Sequence, residues 1–157
     1  YNGDTMDDLD KQILNILQDN DKTPYYEIGK RLGVGSTTVH SRVKKLVENG
    51  TIKRFAAIVD PKLVGYTACK MVGLTVQPDK IEEVAEKISK YDEVTMIGTT
   101  GGDHDIVMEV IGPDERAIGR FINEKIKTVE GVKSGIGMIH VSTFTEIYKH
   151  NHKIVFY

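Results

Sequence analysis

The sequence predicts an α+β chain in two parts: a small winged helix-turn-helix unit, then a βαββαβ unit with the ferredoxin-like arrangement of a four-stranded antiparallel sheet and two helices on one face. Three observations predict it. A glycine-broken pair of short amphipathic helices occupies residues 23–46, a β-prone stretch follows at 52–59, and the remainder repeats one strand–helix–strand pattern twice.

Leu9, Ile13, Ile16 and Leu17 fall at helical spacing, with Asp7 or Asp8 placed to cap a first helix. In the second, Thr23 is the candidate N-cap and Pro24 the first helical residue, and Ile28 and Leu32 lie one turn apart. Gly33 and Gly35 bracket Val34 and supply backbone freedom for a tight turn. Ser36 then caps a third helix whose Val39, Val43 and Leu46 form a buried stripe. At about 100° per residue the opposite face carries Thr37, Ser41, Lys44 and Lys45, with Thr38 near its start and His40 and Arg42 flanking it. Gly50 ends this helix. Residues 52–59 read as a strand or short hairpin, a wing on which Lys53 and Arg54 could touch a nucleic-acid backbone.

An α-helix fits the major groove of DNA, where hydroxyl and basic side chains reach base edges and lysines near the helix ends neutralise phosphates. Charge supports this reading locally. The whole chain has a net charge of -2, yet between Lys22 and Arg54 eight basic residues face two acidic ones, Glu27 and Glu48. A solvated helix is often lysine-rich. Here the basic surface coincides with a glycine turn and a hydroxyl-bearing face, which points to double-stranded DNA as a partner.

In the second half, residues 67–76 are strand-like, and Pro78-Asp79 starts a helix with Ile81, Val84, Ala85 and Ile88 inward. Residues 94–100 form a second strand. The order recurs with a strand at 106–111, a helix after Pro113-Asp114 with Ile118, Phe121, Ile122 and Ile126 inward, and a long strand region at 132–148. Met71, Ile97, Met108, Met138, Ile139 and Val141 exceed what one layer of two helices can cover, so a bare apolar face and a homodimer are expected. A two-fold dimer presents two reading helices to half-sites about 34–36 Å apart and implies a near-palindromic operator.

The turn Thr100, Gly101, Gly102, Asp103, His104, Asp105 is a second candidate site. Positive-φ glycines expose N–H groups that hold a carboxylate, and Asp103 or Asp105 can pair with an ammonium, so an amino acid would be a suitable ligand. The plain alternative is a β-hairpin in which Gly-Asp only makes the turn. Ser134, Gly135, Ile136, Gly137 and Met138 are a plausible neighbouring wall. Catalytic chemistry finds little foothold: Cys69 falls in a strand as a small apolar residue, and His150 and His152 lack the further ligands of a metal site, so neither metal nor cofactor is expected. No apolar run approaches the length of a membrane span, and one unpaired thiol suits a reducing cytoplasm.

Asp10 with Leu9, Ile13, Leu14 and Leu17, the Ile28-Gly29 and Leu32-Gly33 pairs, Ser36 followed by Val39, Arg42, Val43 and Leu46, the Gly50-Thr51-Ile52 exit and the Gly102-to-Asp105 turn together resemble the Lrp/AsnC, or feast/famine, transcription regulators. The resemblance covers almost everything from Met6 onward. It implies a winged helix-turn-helix, placed at 6–59, and an effector-binding, oligomerising domain, placed at 67–157; the break in pattern at Pro61 to Gly65 marks a linker at 60–66, and residues 1–5, which precede Met6, read as a tag remnant. It also implies dimers that often build octamers, and an effector pocket between subunits at the hairpin, where Gly102 and Asp105 match the Gly-x-x-Asp pattern. His104 departs from the aromatic residue, such as Tyr, usual at that place. Sirohaem decarboxylases resemble the family too, but would lack a basic recognition helix; a sensing module without a DNA role would lack the basic window.

Overall fold

In the computed structural model of the chain the described residues are 6–135, 137–143 and 154. They divide into two compact units, one running to Ile58 and the other beginning at Val59. Residues 1–5, Ile136, His150 and His152 lie outside the described residues, and so do the expectations attached to them.

The first unit is built from α1 (Asp8–Asp19), α2 (Tyr25–Leu32) and α3 (Ser36–Glu48). Asp7 caps α1 as expected, its carboxylate accepting the Asp10 N–H at 2.9 Å. The other two expected caps fail. Thr23 is buried and its hydroxyl donates to the Asn20 carbonyl at 2.8 Å, so Pro24 itself stands at the N-cap of α2. At α3 the cap position belongs to Gly35, and Ser36 is the first helical residue with no side-chain cap bond. Ile13, Leu17, Ile28, Val39 and Val43 close one apolar core, which the half-buried Leu9, Ile16, Leu32 and Ile52 extend.

Two glycines bring α2 and α3 together. Gly33 ends α2 at φ 70°, the left-handed conformation that costs a side chain most. Gly29 matters for space: a Cβ there would stand 2.5 Å from the Val34 carbonyl oxygen. Gly35 has φ -69°, so it needs no glycine freedom.

The β-prone wing does not form a strand. Ile52 is tied down, its N–H donating to the Leu46 carbonyl at 2.8 Å, but residues 53–59 carry no ladder, and Phe55, Ile58 and Val59 are exposed. A strand exists only where a second backbone satisfies its N–H and C=O groups, and no described segment of this chain pairs with 53–59.

In the second unit, after a single 3-10 turn at Pro61–Val64, come β1 (Ala68–Leu74), α4 (Ile81–Ile88), β2 (Val94–Thr99), β3 (Ile106–Gly112), α5 (Glu115–Phe121) and β4 (Ile139–Thr143). The sheet order is β2-β3-β1-β4, antiparallel throughout, which is the βαββαβ topology expected. Asp114 caps α5 by accepting the Ala117 N–H at 2.7 Å, and the helix continues as a π-type turn over Ile122–Ile126. Of the strand region expected at 132–148, the described residues form β4 alone, because Val132 makes only a lone bridge to Val76 and Gly137 turns the chain at φ 76°; residues 144–148 lie outside the described residues.

Register decides which residues face the helices. Ile97, Met108, Val72 and Val141 stand side by side across the sheet, and the next row of that face holds Ile106, Leu74 and Ile139. Met108 is fully buried in the core with Val84, Ile88, Ile118, Phe121 and Ile126, and Ile97 and Ile139 pack against it. Four residues expected on the bare face therefore lie on the helix side. The outer face carries Met96, Glu109, Met71 and Ser142 in one row and Gly98, Val107, Gly73 and His140 in the next, a mixed surface rather than a plain apolar one.

Candidate nucleic-acid interface and ligand site

Burial of Val39, Val43 and Leu46 turns the rest of α3 outward. Ser36, Thr37, Thr38, His40, Ser41, Lys44 and Lys45 are all exposed, so two turns of hydroxyls lead into a basic end. His40 stands edge-on to the Tyr25 ring, centroids 5.8 Å apart, which ties the side chain to α2. Lys44 lies 3.8 Å from Glu48, a loose exposed pair one turn on that water and salt readily open. Lys53 and Arg54 are exposed just beyond the Ile52 anchor.

Arg42 has a different task from the one expected of it. Its guanidinium is half-buried and reaches back to α1, pairing with Asp7 at 2.5 Å and Asp10 at 3.2 Å. The Asp10 N–H first, and Arg42 second, hold the Asp7 carboxyl below the usual aspartate range, and Asp7 in turn raises Arg42. With both carboxylates engaged, Arg42 fastens α3 to the start of α1 instead of standing free on the outward face. The signal was present in sequence as Asp7 and Asp10, one helix turn apart on the face toward α3.

At the other end of the chain, the β2–β3 hairpin keeps Thr100, Gly101, Gly102 and Asp103 exposed. Its glycines are not in the positive-φ region as expected; the bend is held instead by Thr100, whose N–H donates to the Asp105 carbonyl and whose hydroxyl accepts the Gly102 N–H at 3.1 Å. Asp105 is half-buried and anchors the hairpin to β1: its N–H donates to the Leu74 carbonyl at 2.9 Å and its carboxylate accepts the Val76 N–H at 2.7 Å. Asp103 remains the solvent-facing acid of the turn.

His104 folds over the outer face of the sheet onto Gly73. A Cβ at Gly73 would lie 2.3 Å from the imidazole, so the glycine makes the socket for the ring. The ring also stacks on His140 of β4, the register neighbour of Gly73, centroids 5.9 Å apart. Neither Gly73 nor His140 stands out in the sequence, because only strand register brings them beside residue 104. Of the expected neighbouring wall, Met138 comes to this end of β1, its carbonyl accepting the Thr75 N–H at 2.8 Å. Cys69 sits half-buried on the outer face, and burial first, then the Glu109 carboxylate, pushes its thiol up and away from the nucleophilic thiolate.

These two halves match two known families in the same order. The family described as winged helix-turn-helix DNA-binding matches residues 6–53, and the Lrp/AsnC ligand binding domain matches 69–151, which is more than half of the chain. The chain belongs to the Lrp/AsnC family. Among its Lrp/AsnC relatives, an uncharacterized HTH-type transcriptional regulator of Pyrococcus furiosus is 38% identical over 151 residues, spanning 96% of this chain and 99% of that one. The regulator LrpA of Pyrococcus horikoshii is 36% identical across 81% of this chain and 90% of its own length. Among solved structures, E. coli AsnC aligns with a TM-score of 0.83 at 27% identity, covering 94% of this chain and 97% of AsnC. A Neisseria meningitidis regulator in complex with L-methionine aligns at 0.85 with 22% identity and 96% of each chain covered, a likeness of fold. The chain is thus a helix-turn-helix transcriptional regulator joined to a ligand-binding domain.

Proposed function

We propose that this Lrp/AsnC regulator binds a near-palindromic double-stranded operator as a homodimer, and that an amino acid at the β2–β3 hairpin adjusts that binding. The observation that carries the DNA half is the outward face of α3, with Thr37 and Ser41 exposed for base edges and Lys44 and Lys45 for phosphates, joined by the exposed Lys53 and Arg54 beyond the helix. Support for the effector half is the exposed Thr100–Asp103 bend beside the His104–His140 stack, and the L-methionine complex of the Neisseria relative. A ligand there shifts DNA affinity only by its differential affinity for two arrangements of the subunits. The relatives are named as regulators rather than enzymes, and the DNA-facing helix that a decarboxylase would not need is intact.

Binding to operator DNA across a salt series tests the reading. Lys44→Ala with Lys45→Ala is expected to weaken binding and lower the slope of log K against log salt by about 0.9 for each phosphate that is no longer neutralised. Unchanged affinity and slope would remove α3 from the interface. For the effector, a panel of amino acids that gives no heat of binding and no change in oligomer size would remove the sensing half alone.

A further inference from the structure

The sheet's helix-facing side holds a feature that neither DNA nor an effector at the hairpin uses. Lys70 lies in the middle of β1 among apolar residues, and its side chain is only 8% exposed. Lysine is almost never buried this far unless paired. Its ammonium sits 2.6 Å from Glu115 Oε1 and 2.6 Å from Thr143 Oγ1, bonds that use two of its three N–H groups. The pairing is lopsided, because the Glu115 side chain is 74% exposed. A buried cation is therefore balanced by a carboxylate that stands largely in water.

Beside this pair opens a cleft of about 360 Å³ between α5 and the β1–β4 edge. Ile118, Ile122, Ile139 and Val141 form its apolar wall, and Lys127 adds a second positive charge to its rim. That volume is at the lower end of the roughly 300–1,000 Å³ in which small ligands sit. Val141 remains 44% exposed on an edge strand, so the wall is open to an occupant.

We infer that this cleft is a second ligand site, which takes a short branched aliphatic carboxylate lacking an α-ammonium group. The ligand's carboxylate replaces that of Glu115 on the Lys70 ammonium, and its alkyl body covers the isoleucine and valine wall. Charge sets the selectivity. Lys70 and Lys127 outnumber the single carboxylate of the lining, Glu115, so the cleft carries a net positive charge that favours an anion over a net-neutral amino acid. The inference is independent of an amino acid effector at the hairpin, since Lys70 and His104 lie on opposite faces of the sheet.

The test is calorimetry on the full chain with 4-methylpentanoate, leucine and 4-methyl-1-pentanol, together with methyl NMR of Ile118, Ile122, Ile139 and Val141. The expected result is binding of 4-methylpentanoate with shifts at those four residues, and shifts there at least about tenfold weaker in concentration dependence for leucine and the alcohol. Lys70→Met, which keeps an aliphatic side chain in place, is expected to abolish that binding. Glu115→Gln removes the internal competitor and is expected to tighten it several-fold, an effect that a purely structural ion pair would not produce. No binding of 4-methylpentanoate, shifts confined to the hairpin, or a Glu115→Gln variant that binds no tighter than the parent would each overturn the inference. If Lys70→Met fails to fold, the Glu115→Gln result decides.

Discussion

Arg42 illustrates how a single side chain changes meaning once its partners are known. On the helical wheel it flanks the DNA-facing stripe, yet Asp7 and Asp10 hold it against α1. Because Asp7 is held below its ordinary value near 3.8, the ion pair contributes stability above that pH and ceases to do so as pH falls below 3.8 and the carboxyl protonates. Acid titration of the helical unit by circular dichroism is expected to show a shallower loss of structure below that pH in Asp7→Asn than in the parent. Gly29→Ala is a steric case. Its methyl group would press on the Val34 carbonyl, a backbone atom that cannot rotate away, so a loss of about 1–3 kcal/mol in urea unfolding is expected. At the hairpin, Asp105→Ala leaves the N–H of the fully buried Val76 without its acceptor, and a loss of about 1–3 kcal/mol is expected by the same measurement.

Elements show where the sequence was readable and where it was not. All the helices and sheet strands named from periodicity are present, because each apolar stripe has a core to meet: Val39, Val43 and Leu46 in α3, and Ile118, Phe121, Ile122 and Ile126 in and after α5. Caps at Thr23 and Ser36 failed since a cap depends on local dihedral angles that residue type alone does not set. The strand expected at 52–59 is absent among the described residues because a strand is a property of two segments, and β-propensity describes only one. Sheet faces were the hardest part. Along β3, Ile106, Met108 and Val110 alternate inward while Val107, Glu109 and Ile111 face out, yet five of these six are apolar. A register shift between Val94 and Met96 in β2 then moves Ile97 to the helix side. The outward-facing residues of α3 were legible from one helix. The His104–Gly73–His140 arrangement, by contrast, requires three strands in register and was not.

At the scale of the whole molecule, a helix-turn-helix unit is joined to a ligand-binding domain, and the two proposed ligand sites lie on opposite faces of its sheet. The joining is a matter of population: a ligand bound on the sheet is felt at DNA only to the extent that it prefers one arrangement of the assembly. The central claim nevertheless rests on α3. That claim is tested most directly by selecting bound sequences from random duplex DNA with the parent chain and with a Thr37→Ala, Ser41→Ala variant. The parent is expected to enrich one near-palindromic motif, and the variant to lose preference at defined positions within each half-site while still binding DNA in a salt-dependent manner. The same motif enriched by both proteins, or no motif from the parent, would contradict it.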